Sequence, residues 1–224
     1  HAGPMTRTVA DNAVMLQVIA GHDGLDPACP DEPVPDYRTA LEEDIRGLRV
    51  GVPRADFFEG LTPDVEAALD VALAQVEALG ARLVEVDIPH ARYAGSAGWL
   101  IAMAEGACYH ETRLRETPEL FDPLIRERME AAKFTMATDY IKALRVRSIL
   151  VAEMKEVFGR CDVMAVPGSA SVAGMIQPPE LARTDVTDSP PPPFRGGTTF
   201  LGNMTGLPAM TMPCGFSRGP RPPP

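Results

Sequence analysis

An α/β fold is what this sequence predicts, and three observations lead there. Residues 47 to 88 pass from the β-branched run "LRVGVP" through the helix-patterned "TPDVEAALDVALAQVEALG" to a second β-rich run, "RLVEVDIP". A strand, helix, strand succession of that length is a βαβ unit with parallel strands. Residues 89 to 158 then read as helix for most of their length, and "CDVMAVPG" at 161 to 168 returns the chain to a strand. That order is expected of helices laid against a mainly parallel core, with right-handed crossovers.

Each element has a local reason. In "GPMTRTVADNAVMLQVIAG", residues 3 to 21, Thr8 is placed to cap a helix and Asp11 stands where a capping-box acid would. Val9, Ala13, Leu16 and Ala20, with Met15 and Ile19 beside them, repeat at helical spacing, and Gly21 ends the run. Residues 22 to 46, with "GHDGLDPACPDEPVPDY", read as a proline-rich surface connection. In the βαβ helix Thr62 is the N-cap, Pro63 takes the first helical position, acids fill the first turn and Gly80 closes it. "GWLIAMAEGACYHETRLRE" and "PLIRERMEAAKF" predict two helices parted between Pro118 and Pro123, and a longer helix is expected over 137 to 158. "CDVMAVPG" is expected to be a buried strand ending at Pro167. From Gly168 to Gly197 the chain reads as loop, its "SPPPP" at 189 to 193 favouring polyproline II as a rigid connector. "FLGNMTGLPAMTMPCGF" then predicts a short helix, a turn and an apolar strand from Ala209 to Met212.

Composition narrows the function classes. The 224 residues are 45% hydrophobic, enough to bury a core as one or two domains, and no apolar run has transmembrane length. No membrane association is expected. A formal charge of −10 with scattered Lys and Arg argues against direct nucleic-acid binding. Cys29, Cys108, Cys161 and Cys214 lie far apart, with no CxxC pair and no histidines at ligand spacing. Neither a metal site nor a disulfide framework is expected, and reduced thiols suit a cytoplasmic location. No cofactor-binding motif stands out.

The familiar catalytic signatures are absent: no GxSxG elbow, Walker loop, GxGxxG or HExxH is present. His1, His22, His90 and His110 form no recognisable constellation, and His110, on a predicted helix, reads as a surface or packing residue. "PGSAS" at 167 to 171 could present a hydroxyl after a strand, but no base has an identifiable relation to it, and it is read as loop. Arg147 is the exception. On the helix over 137 to 158 the inward stripe is expected to hold Tyr140, Ala143, Leu144, Val151, Met154 and Phe158, and Arg147 falls on the same stripe. Lys142, Arg145, Glu153 and Glu156 fall on the other face. A buried guanidinium is costly unless paired or hydrogen-bonded, so Arg147 is either an internal ion-pair partner or a donor at a cavity wall.

At these residues the sequence resembles the amidase signature family, which includes amidases and the A subunit of the glutamyl-tRNA amidotransferase. The resemblance begins with "GPMTRTVADNAVMLQVIAGHDGLDP" (3 to 27) and runs in order through "GLRVGVP", "LGARLVEVDIP", "DYIKALRVR", "CDVMAVPG" and "GNMTGLPAMTMPCGF" (202 to 216). It covers nearly the whole chain, the first and last of these segments being the most specific.

The resemblance implies a mixed sheet flanked by helices, incomplete here because the N-terminal half is absent, with residues 1 to 224 the C-terminal portion of one domain. It also implies acyl transfer, in which a serine attacks an amide carbonyl and a Lys and cis-Ser pair relays its proton to the leaving amine. No residue here matches that catalytic set: Lys133, Lys142 and Lys155 sit in predicted helices outside any such motif. The candidate substrate-binding residues are Arg147 and Tyr140. Met5, Met103, Met136, Phe194 and Phe200 could line an apolar pocket for aryl or alkyl amides. Where the likeness to the amidotransferase leads one to expect an acid before "GNMTGLPA", "PFRGG" supplies none, so a general amidase is favoured over a glutamine-selective one. Partners expected are a small-molecule amide, the N-terminal segment of the same fold and, as an assembly, a homodimer. After "CGF" the family continues with a Gly-Leu-Pro turn, whereas residues 217 to 224 read "SRGPRPPP", an aberrant tail attributed to a shifted reading frame or an assembly error. Two other classes stand against the enzyme fragment. One is a non-catalytic binding or subunit module derived from an amidase; the other is a free-standing α/β ligand-binding domain, supported only by residues 47 to 88.

Overall fold

The computed structural model describes residues 3–26, 29–42, 44–173 and 197–217 and divides into two compact units, His1–Arg46 and Gly47–Pro224.

The first unit carries α1, Val9–Ile19. Thr8 caps it as expected, its Oγ1 accepting from the Asp11 N–H and donating to the Asp11 carboxylate at 2.7 Å. The helix ends at Ala20, and Gly21 takes a φ of +136° that few other residues tolerate. The connection after it is tied to the helix where the Tyr37 N–H donates to Gln17 Oε1 at 2.9 Å. It closes with a 3₁₀ turn, Thr39–Glu42. Of the predicted apolar stripe only Ala13 is buried; Val9, Met15 and Ile19 are exposed, as are Val14 and Val18.

The second unit is built on a three-stranded parallel sheet in the order β2-β1-β3, with β1 at Arg49–Val52, β2 at Arg82–Glu85 and β3 at Val163–Met164. The βαβ unit forms as predicted. Arg49 to Val52 pair in register with Arg82 to Glu85, and the crossover contains α3, Pro63–Ala78. Gly80 turns the chain at φ +97°, so that the Gly80 carbonyl accepts from the Gly47 N–H at 2.8 Å. Between β1 and α3 lies α2, Arg54–Phe57, a single turn with no periodicity to announce it.

The helical stretch is α4, Ala94–Tyr109, α5, Glu111–Glu116, α6, Pro123–Ala132, and α7, Ala137–Arg160. Asp122 caps α6 by accepting from the Leu124 and Ile125 N–H groups. α4 packs against α6, α7 and α8, the last being Gly197–Thr205. The small residues Ala94, Gly95, Ala97 and Gly98 let α8 come close: a Cβ on Gly98 would lie 2.6 Å from Phe200. The core of this unit gathers Val86 and Ile88 from the end of β2, Leu150, Met154 and Val157 from α7, Cys161, and Leu201 and Met204 from α8.

Three expectations are corrected. The buried stripe of α7 runs through Ala143, Leu150, Met154 and Val157, a face rotated from the predicted one. Arg147 therefore lies exposed beside that stripe, and Glu153, expected on the outer face, is only 16% exposed. Glu153 accepts from both the backbone N–H and Nδ1 of His90, clamping the turn before α4 onto α7. β3 is two residues long, and Val163 is exposed because β3 borders β1 on one side only. Ala209 to Met212 form no strand and are exposed; a strand needs a neighbour's N–H and C=O groups, and none of the three described strands supplies them. The polyproline run at 189 to 193 and residues 218 to 224 of the tail lie outside the described residues. Among the described residues no helix is long and apolar enough to cross a membrane.

Candidate functional site

The polar residues of interest meet where α4, α7 and α8 converge. α7 carries Tyr140 and Arg147 seven residues, two turns, apart, which keeps them on one side of the helix. Arg147 Nε donates to the Met204 carbonyl at 2.8 Å, at the C-terminal end of α8 next to the "TGLPA" turn. Carbonyls in the last turn of a helix have no intrahelical partner, so a guanidinium is well suited there. The two Nη groups have no protein partner among the described residues.

Tyr140 is half-buried, and its hydroxyl donates to Glu105 Oε1 on α4 at 2.8 Å. This hydrogen bond, desolvation and the negative charge of Glu105 push the Tyr140 phenol above its usual range, while the positive charge of Arg147 partly opposes them. Glu105, Tyr140 and Arg147 thus form a polar run from α4 across α7 to the end of α8.

Tyr140 and Glu105 also border an open groove of about 800 Å³ between α4, α6 and the start of α7, lined by Ala104, Ala107, Ala132 and Ala137 and by Cys108, Tyr109, Glu111 and Thr135. Lys133 lies in the same groove, its charge paired with Glu130 at 2.7 Å. Apolar alanines beside charged and hydrogen-bonding groups can hold a ligand that has both an apolar and a polar part.

Several predicted residues stay apart. Phe200 packs against the core beside Gly98 and Trp99, and Met136 is 63% exposed outside the groove lining. Met103 does not line the groove either, Met5 belongs to the first unit at 95% exposure, and Phe194 lies outside the described residues. Met103, Met136 and Phe200, the three that are described in the second unit, therefore do not line this groove. His110 is a packing residue, edge-on to Phe121 at 5.5 Å between ring centroids. "PGSAS" serves as a docking loop, the Ala170 carbonyl accepting from the Thr62 N–H at 2.8 Å. All four cysteines are free, and among the described residues no group of three acids, histidines or cysteines could hold a metal.

Glu105 went unnoticed in the sequence although a signal was there. It is the one charged side chain in "GWLIAMAEGACY", otherwise apolar or small, which is the reasoning that singled out Arg147.

Comparisons with known proteins agree with these segments. A family model described as Amidase matches residues 1–221. An amidase of Pseudomonas putida is 41% identical over 218 residues, which are 97% of this chain and 47% of that protein. The A subunit of the glutamyl-tRNA(Gln) amidotransferase of Moorella thermoacetica is 35% identical over 245 residues, 97% of this chain and 48% of that protein. The crystal structure of its counterpart from Thermotoga maritima matches with a TM-score of 0.71 at 29% identity, over 96% of this chain and 46% of that one. A bacterial aryl acylamidase of the amidase signature family matches with a TM-score of 0.68 at 19% identity, a likeness of fold alone. The chain spans about half the length of the curated relatives it matches. With the family model extending over nearly all of the sequence, the chain belongs to the amidase family.

Proposed function

We propose that these residues form the substrate-binding wall of a serine hydrolase that converts a carboxylic amide and water to a carboxylate and ammonia or an amine. Its nucleophile and proton relay belong to sequence outside the 224 residues, because no segment here resembles the family's Gly/Ser-rich nucleophile loop or its lysine. One observation carries the assignment. Arg147 is anchored through Nε on Met204, beside Tyr140, with its Nη groups left for a ligand. In acyl transfer such donors hold and orient the substrate, and orientation itself lowers the barrier.

Four alanines and Tyr140 in the groove give an aryl or alkyl group a surface to pack on, beside the charged Glu105, Glu111 and Lys133, and no acid stands in "PFRGG" before "GNMTGLPA". That favours a general amidase. The second reading, a glutamine-dependent amidotransferase, is favoured by the identity of 35% to the Moorella thermoacetica protein. To decide, the chain is joined to a family-type N-terminal half and turnover of an aryl amide is compared with that of glutamine. Faster aryl amide hydrolysis is expected; glutamine-dependent ammonia release exceeding it would establish the second reading instead.

A further inference from the structure

Resting on that reading of Arg147 and Tyr140 as substrate-binding residues, we infer that Glu105 is a positioning residue that fixes the hydrogen-bonding sense of Tyr140, turning its oxygen into an acceptor for an N–H group of the amide substrate. The reasoning follows from the donor and acceptor inventory. A phenol has one O–H to give and lone pairs to receive with, whereas an ionised carboxylate can only accept. At 2.8 Å from Glu105 Oε1 the Tyr140 hydroxyl must therefore spend its single proton on Glu105. What Tyr140 then offers the groove is lone pairs alone.

Arg147 has the opposite character. A guanidinium only donates, and with Nε committed to Met204 its remaining donors are the Nη groups. Tyr140 thus presents an acceptor on the groove, and Arg147, two turns along α7 and outside the groove lining, presents donors. An amide substrate carries the complementary pair, N–H donors and a carbonyl or carboxylate acceptor. Without Glu105 the Tyr140 hydroxyl could rotate and donate, and the two residues would then compete for the same kind of substrate atom. The charged and titratable groups that act on the Tyr140 hydroxyl are Glu105 and Cys108 from α4 and Arg147 from its own helix. Glu105 is exposed, so its replacement disturbs no core packing.

The test uses the protein completed with a family-type N-terminal half and a primary aryl amide as substrate, with Glu105→Gln, Glu105→Asp, Tyr140→Phe and the double variant Glu105→Gln/Tyr140→Phe. Glu105→Gln should raise KM by about tenfold, the worth of one hydrogen bond with a charged partner, with a smaller change in kcat. Glu105→Asp should recover part of that loss. The double variant should be no worse than Tyr140→Phe, because Glu105 acts through the phenol. Phenolate absorbance, with Tyr140→Phe subtracted to isolate Tyr140, should show its titration moving down toward the ordinary tyrosine range in Glu105→Gln, a readout independent of turnover. Equal losses from Glu105→Gln in the presence and absence of the Tyr140 hydroxyl would overturn the inference, as would an unchanged KM with a shifted phenol. A Tyr140→Phe variant with wild-type kinetics would overturn the substrate-binding reading beneath it as well.

Discussion

At the scale of single residues, side chains that look interchangeable by charge are not. Arg147 holds Met204 through Nε, and its Nη donors are the ones proposed for the substrate; a lysine ammonium on a flexible stem cannot supply both in fixed geometry. In the completed enzyme, Arg147→Lys should lower kcat/KM at least about tenfold, as expected when one well-placed donor is lost; unchanged steady-state kinetics would remove Arg147 from the site. A second residue-scale prediction concerns Asp162, which receives Arg49 through the side chain at 2.7 Å and through the backbone N–H at 2.8 Å. The hydrogen bonds from Arg49 hold the Asp162 carboxyl down to about 2 from an ordinary 3.8. A carboxyl depressed in the folded state stabilises it above the unfolded value and loses that contribution as pH falls through the folded one. Asp162→Asn should therefore lower Tm above about pH 4, with the gap from wild type closing as pH falls toward 2. Both partners are about 40% exposed, at 42% and 39%, so the gap should be small and should shrink in high salt. A gap constant across that pH range would mean that the pair contributes nothing through its charge.

At the scale of elements, how much could be read in advance depended on whether the deciding contacts were local. Thr8 and Gly80 mark helix ends through bonds within a few residues and Pro63 through its fixed φ at the first helical position, and α1, α3 and the βαβ unit followed from them. The longest helix was foreseen in extent, but its buried face was misjudged because Arg147 and Val151 share helical spacing with Ala143 and Met154, and only the neighbours choose between overlapping stripes. Ala209 to Met212 have strand-forming character, yet strand formation depends on a partner that the segment cannot encode. Arg147 and Tyr140 could be singled out from their own helix, whereas Glu105 needed the crossing of α4 over α7 to acquire its meaning. A second close contact, after that of Gly98 with Phe200, is where β1 meets Cys161 at the end of α7. A Cβ at Gly51 would stand 2.7 Å from the Sγ of buried Cys161 and 3.4 Å from Val86. Gly51→Ala should cost about 1–3 kcal/mol, the usual penalty of overpacking, read as a lower urea midpoint at unchanged m-value. A midpoint equal to wild type would show that Cys161 yields without cost.

At the scale of the whole molecule the unusual feature is how much apolar surface is open. Val14, Val18 and Ile19 in the first unit, and Tyr109 on the groove with Phe134 and Met136 outside its lining in the second, are all exposed, at 50%, 79%, 58%, 81%, 86% and 63%. A stable monomer seldom leaves so many large side chains uncovered, and among the described residues the parallel sheet has three strands whose outer edges have no partner, an arrangement that invites pairing. The 224 residues alone should bind a hydrophobic dye before heating and melt without a sharp two-state transition, whereas a dye-silent monomer with a cooperative melt would mark a self-sufficient domain. The proposed division of the site between these residues and a family-type N-terminal half bears on chemistry, since a serine mechanism needs nucleophile and proton relay within hydrogen-bond reach of each other. The decisive measurement is amide hydrolysis by the 224 residues alone and by the same residues joined to a family-type N-terminal half, each with and without a serine-directed phosphonate. Turnover should be confined to the joined protein and should be abolished there by the phosphonate. Phosphonate-sensitive turnover by the 224 residues alone would contradict the central claim, because it would place a working nucleophile within this sequence.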